Sequence, residues 1–232
     1  MQSHPNARVL KRQGASNSPR SLLLLATALL ASACATTPQS HSDRKAGVRK
    51  PGSIQPARVD IQQDATGFTI LEDVQVGADV RANYDGAVRQ LEQTQYEQGI
   101  SMLLKVTENA PQVTAAHIDL GIAYARSGDL DRAEASLQEA LKLNPRHPIA
   151  HNELGMIFRK KAQFANARAS YEKVLELFPS FHYAQRNLAI LCDLYLADYK
   201  CALEHYEAYQ RMVPNDEYTP KWIADLQNRV KR

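Results

Sequence analysis

"HIDLGIAYARSGDLDRAEASLQEALKLNP", residues 117–145, is matched 34 positions later by "HNELGMIFRKKAQFANARASYEKVLELFP", residues 151–179. Laid over one another, the two stretches agree at His117/His151, Leu120/Leu154, Gly121/Gly155, Ala133/Ala167 and Pro145/Pro179, with Tyr124 over Phe158. Outward from this pair the period continues. Proline falls at 111 and again at 214, and Ala202 precedes Pro214 by the same 12 positions that separate Ala133 from Pro145 and Ala167 from Pro179. A period of this length marks a chain of repeated supersecondary units, each unable to bury its apolar face alone.

These residues resemble the tetratricopeptide repeat, whose pattern has Leu-Gly, an aromatic residue soon after, a small residue, a large apolar residue and a closing proline. The tryptophan of that pattern is replaced by His117 and His151. The resemblance covers about residues 80–232 and is strongest over 114–181. It implies an all-α superhelix, an α-solenoid of about three to four helix hairpins with a C-terminal capping helix. The expected units are a degenerate repeat at 79–113, repeats at 114–147, 148–181 and 182–216, and a cap at 217–232. Gly121, Gly155, Ala133 and Ala167 are then small because the two helices of a hairpin approach closely, while Leu120, Leu154, Tyr124 and Phe158 fill the space between helices. In the cap, Pro220 suits a first helical turn, and Trp222, Ile223 and Leu226 make an apolar stripe.

Catalytic signatures are missing. The chain has no GxSxG, HExxH, CxxC or Gly-rich phosphate loop, so neither an enzyme nor a cofactor is expected. His147 and His151 stand four apart, a spacing that can hold a metal on a helix, but Pro148 intervenes and His147 lies in an inter-repeat turn. His117 and His151 hold equivalent repeat positions, as packing residues do. No metal is expected.

The N-terminal region reads differently. Residues 1–20 carry basic residues and no acid, and "LLLLATALLA" at 22–31 is an apolar run too short to span a bilayer of about 30 Å. "LASAC" then leads into Cys34 and resembles the lipobox of bacterial lipoproteins, with Ala31 and Leu30 near the usual bulky position. That resemblance implies a signal peptide at 1–33, removed so that a lipid-bearing Cys34 becomes the N-terminus. An ordinary cleaved signal with an incidental cysteine is the alternative. With Ala35 and Thr36 rather than Asp after the cysteine, the resemblance implies the periplasmic face of the outer membrane. Without residues 1–33 the chain has 24 basic and 25 acidic residues, a net charge of −1, which removes any case for nucleic-acid binding. Residues 34–63, rich in Ser, Thr, Pro, Gln and basic residues, are expected to form a disordered tether, and 64–78 an extended arm packed on the first helix.

Cys192 and Cys201 are the two other cysteines. In the repeat register they flank the turn of the hairpin with one extra residue, so antiparallel helices bring them side by side. In an oxidising compartment a disulfide is the simplest outcome. Two free buried thiols, or metal or redox use, are the other readings the residues leave open.

Function follows from the concave face. Residues offset from the packing positions are expected to line a groove: Ile118, Ile122 and Ala125, then Asn152, Met156 and Arg159, then Arg186 and Ile190, with Tyr84 and Val88 extending the row. Ile118 and Ile122 packing against the arm is the alternative. The row suits a helix or extended peptide with an apolar stretch and one or two acids. The chain is thus expected to be a non-enzymatic adaptor or scaffold docking another envelope protein. A role as accessory subunit of an envelope machine, such as a pilus secretin pilotin or a TonB-type energy-transducing system, is one alternative. A redox-active or enzyme-associated periplasmic protein using Cys192 and Cys201 is another.

Overall fold

The computed structural model describes residues 8–10, 58–64 and 67–231. Its helices are α1 (Ala78–Glu92), α2 (Tyr96–Asn109), α3 (Thr114–Ser127), α4 (Leu130–Leu143), α5 (Pro148–Lys160), α6 (Phe164–Leu177), α7 (His182–Leu194), α8 (Tyr199–Met212) and α9 (Thr219–Val230). The first eight pair into hairpins α1/α2, α3/α4, α5/α6 and α7/α8, which stack in chain order, and α9 follows alone.

Each hairpin turns the same way. One residue per turn adopts positive φ, at Thr94 (61°), Gly128 (93°), Ala162 (57°) and Ala197 (51°). In the first three hairpins the N–H of the next residue closes the turn onto the carbonyl five residues back: Gln95 to Gln90 (2.9 Å), Asp129 to Tyr124 (2.9 Å) and Gln163 to Phe158 (2.8 Å). In the fourth hairpin Leu196 reaches Leu191 (3.1 Å) and Asp198 reaches Cys192 (2.9 Å), so the extra residue is absorbed in the turn. These bonds satisfy carbonyls that a helix end leaves open. Only Gly128 takes the left-handed conformation without a Cβ penalty; at the other three the bonds hold a conformation costing roughly 1–2 kcal/mol.

Close approach within a hairpin depends on one missing atom. A Cβ on Gly155 of α5 would lie 2.5 Å from Cε1 of Tyr171 on α6, whose ring is wholly buried. Glycine at that position lets an aromatic ring lie flat against a helix backbone. Between hairpins, one apolar cluster runs from Val74 to Ile157 and a second from Ala167 to Leu226. Leu103, Leu137, Leu188, Leu191 and Leu226 are fully buried, each contributing about 1.5–3 kcal/mol by leaving water. Trp222 and Leu226 follow Leu188 and Cys192 by 34 residues and join the same cluster, so α9 occupies the place of a further first helix.

The repeats build the expected all-α superhelix, and among the described residues three strands stand beside it: β1 (Arg8–Leu10), β2 (Arg58–Asp64) and β3 (Gly67–Asp73), in the order β1-β3-β2. β2 and β3 form an antiparallel hairpin pairing Ile61 with Ile70. Residues 58–63 therefore belong to a strand and not to the tether, and the arm begins as a strand. Neither had a long enough alternation to read alone; a hairpin partner supplies the hydrogen bonds that a single short strand lacks. β1 pairs parallel to Ile70–Glu72, so three residues placed by sequence in a leader are paired here, and a chain starting at Cys34 would lack that strand. Cys34, the rest of the leader and the tether up to residue 57 lie outside the described residues. Among the described residues no helix is long and apolar enough to cross a membrane.

Candidate functional site

The histidines resolve first. His117 and His151 each place Nε2 against the carbonyl of the proline closing the preceding unit, Pro111 at 2.9 Å and Pro145 at 2.8 Å. Gln185 does the same work one repeat on, donating to the Pro179 carbonyl at 3.2 Å. His147 caps α5, its Nδ1 accepting from the Ala150 N–H at 3.4 Å. His117 and His151 thus tie consecutive units together, and His147 caps a helix.

Consecutive first helices are tied by polar pairs, one buried and one part-buried. Tyr84 of α1 donates to Asp119 of α3 at 2.7 Å, and Asn187 of α7 donates to Asn152 of α5 at 2.9 Å. Such contacts fix register, because either group left alone in the interior costs about 1–3 kcal/mol.

A cleft of about 820 Å³ opens on these first helices towards the C-terminal end. Met156 and Arg159 of α5, Arg186, Asn187 and Ile190 of α7, Tyr209 of α8, and Tyr218 and Trp222 at the start of α9 line it. Arg186 lies 5.7 Å from the Trp222 ring centre and 6.0 Å from that of Tyr209. Tyr206 packs behind Trp222 with ring centres 5.4 Å apart. Burial pushes the Tyr206 phenol up, as does the Asp193 charge, against the opposing pull of Arg186, Arg229 and Arg159. The Tyr206 phenol thus lies in the field of one buried carboxylate and three guanidiniums. Arg229 of α9 takes that carboxylate, Nη1 standing 3.1 Å from Asp193 Oδ1. A concave wall with aromatic faces and a few cations suits a segment carrying apolar side chains and acids.

Of the expected groove residues, the structure brings Met156, Arg159, Arg186 and Ile190 together on this cleft. It does not bring the others. Ile118 is fully buried and Asn152 is 3% exposed, so neither has surface to offer a ligand. Ile122 and Ala125 are half-buried against the same apolar cluster that holds Val74, Val76 and Val80. Tyr84, 3% exposed, is likewise interior, and Val88 packs on that cluster. The reason is physical: the first-repeat row is apolar and belongs to the same cluster as Val74, Val76 and Val80. The residues that the repeat reading missed are Asn187, Tyr209, Tyr218 and the groove-facing role of Trp222. Only Trp222 had a signal, its 34-residue distance from Leu188.

Cys192 and Cys201 are disulfide-bonded, their Cα atoms 5.9 Å apart, joining α7 to α8. With Asp198 they are the one group of metal-ligand types close enough to share an ion among the described residues. Two of its three members are committed to the disulfide. The third accepts from Arg168, whose Nη2 lies 2.9 Å from Asp198 Oδ2 and 3.5 Å from Cys192 Sγ. A fixed cation there opposes a metal ion. That hydrogen bond, with the Cys201 N–H, holds the Asp198 carboxyl below the usual carboxylate range.

The repeat region matches the family model for the tetratricopeptide repeat at residues 84–148, 118–180 and 152–217. The chain is a tetratricopeptide repeat protein. Solved structures agree on the fold. MamA from Desulfovibrio magneticus RS-1, residues 41 to the end, is 20% identical with a TM-score of 0.61, covering 68% of this chain and 88% of its own. PilF of Pseudomonas aeruginosa is 20% identical with a TM-score of 0.60, covering 66% of this chain and 69% of its own. YrrB, described as a tetratricopeptide repeat protein with an unusual peptide-binding site, is 19% identical with a TM-score of 0.54, covering 61% and 73%. No curated protein matches this tetratricopeptide repeat protein in sequence. The cleft of this repeat protein thus lies on the first helices of its last two full hairpins and is closed at one end by α9.

Proposed function

We propose that this protein is a non-enzymatic adaptor that docks a peptide or helix of another envelope protein in the cleft between α5, α7 and α9, while a lipid on Cys34 holds it to the periplasmic face of the outer membrane. The cleft carries the reading: it joins aromatic surface (Tyr209, Tyr218, Trp222) to cations (Arg159, Arg186) on helices pinned by the Asn152–Asn187 pair. The family supports protein partners, and the peptide-binding site named for YrrB supports a peptide as ligand. The lipid anchor rests on the lipobox-like run ending in Cys34.

Two experiments test it. A photo-crosslinking amino acid at Ile190, within the cleft, should trap a discrete envelope partner in intact cells, whereas the same probe at exposed Glu172 on α6 should trap none. Equal trapping from both positions would move the site off the groove. For the anchor, Cys34→Ser should abolish metabolic palmitate labelling and release the protein from the detergent-requiring membrane fraction. Unchanged labelling in that variant would remove the lipoprotein half of the proposal and leave the adaptor half standing.

A further inference from the structure

The carboxylates around the cleft are already engaged. Asp193, with its side chain 6% exposed, is held by Arg229 at 3.1 Å, and Asp216 accepts from the Thr219 N–H at 2.9 Å. Arg159 is different. Among the described residues no carboxylate lies within ion-pair distance of its guanidinium, which instead stands 5.8 Å from the ring centre of Tyr195. It is half-buried, so the charge faces the cleft rather than open water. On one side of it Met156 and Ile190 form an apolar slot ending at Trp222. On the other, beyond the cleft, Tyr195 is 47% exposed and Leu194 67% exposed at the turn between α7 and α8. Phe164 packs on Tyr195 at a tilt, with ring centres 5.2 Å apart.

Resting on the groove reading above, we infer that Arg159 is the residue that selects the ligand: it pairs with an Asp or Glu side chain of the docked segment. Bulky apolar side chains on either side of that acid enter the Met156–Ile190 slot and cover Tyr195 and Leu194. The register explains why this falls to one repeat. Position 159 is equivalent to Ala125 in the preceding repeat and to Asp193 in the following one. The first has no charge and the second is neutralised by Arg229, so in this row the cation at 159 is the one without an ion pair among the described residues. A partly desolvated cation without a partner rewards a carboxylate more than an exposed lysine would, and it rejects a basic segment outright.

A random dodecapeptide display library selected on the full chain tests this. Selected peptides should be enriched in Asp or Glu flanked by Leu, Ile, Phe or Trp. For one such peptide, measured by fluorescence anisotropy, Arg159→Glu should weaken binding about tenfold or more, and Arg159→Gln by less. Replacing the peptide's acid by Lys should abolish binding to the parent and restore it to the Arg159→Glu variant. Circular dichroism and melting of both variants should match the parent, since the side chain is only half-buried. If peptides crosslink at Ile190 but bind Arg159→Glu and parent within twofold, the acid anchor is wrong and the groove stands. If no selected peptide crosslinks at Ile190, the groove reading fails and this inference fails with it.

Discussion

Tyr171→Ala should cost about 3–5 kcal/mol of stability, while Tyr171→Phe should cost nothing or stabilise the protein. The two substitutions separate two roles of one side chain. Its ring is fully buried, fills the space left by the missing side chain of Gly155, and belongs to the cluster joining α6 to Leu188, Cys192 and Tyr206. Removing the ring leaves a cavity between a glycine and a hairpin that cannot collapse without shifting a helix. Its hydroxyl, by contrast, is buried without a hydrogen-bond partner among the described residues, and burial pushes the phenol up. An unpaired buried hydroxyl destabilises, so removing it does no harm. Urea unfolding followed by circular dichroism decides the matter. A Phe variant as damaged as the Ala variant would mean that the hydroxyl has a partner, and an Ala variant within 1 kcal/mol of the parent would refute the packing argument. Because stacked repeats contribute mainly through their neighbours, the Ala variant should also broaden the transition, with the last hairpins unfolding first.

Opening the Cys192–Cys201 bond should lower stability by about 2.7 kcal/mol, the chain-entropy value for a loop of about ten residues. The fourth hairpin depends on it more than the others would. Its turn runs over residues 195–198, the longest of the four, and carries Ala197 at positive φ. Reductant should lower the melting temperature of the parent and leave that of Cys201→Ala unmoved. Thiol counting on unfolded, unreduced protein should find both sulfurs unreactive. Two freely alkylated thiols, or a parent indifferent to reductant, would refute the staple. The effect should reach the cleft as well, because α7 supplies Arg186, Asn187 and Ile190 and α8 supplies Tyr209. Peptide affinity should fall with reduction even where the helices survive.

Much of this molecule is legible in its sequence because its contacts are periodic. Prolines at 111, 145, 179 and 214, Leu-Gly at 120–121 and 154–155, and the alanines between them announce the hairpins and how they stack. His117 and His151 read as structural from register alone, and the structure places both on closing-proline carbonyls. Cys192 and Cys201 could be paired because a hairpin brings positions equally far from its turn together. Each of these inferences depends only on neighbours one repeat away, and one repeat is what a 34-residue period describes.

The binding surface was decided by tertiary structure. Ile118, Met156 and Arg159 look equally groove-facing in register, yet Ile118 is wholly buried while the other two line the cleft. Position 118 is interior in the next repeat too, at Asn152, and chain from outside the period acts at the two ends: the segment after β3, with Val74 and Val76, joins the apolar cluster of the first hairpins, and α9 brings Tyr218 and Trp222 to the opposite end. The β2–β3 pairing was hidden for the same reason, since a strand this short takes its identity from its partner. Periodicity reports how a repeat packs on its like. Which stretch of the concave face stays open is set where unlike segments meet the first and last repeats and bury the apolar surface there, and that contact leaves no period to read.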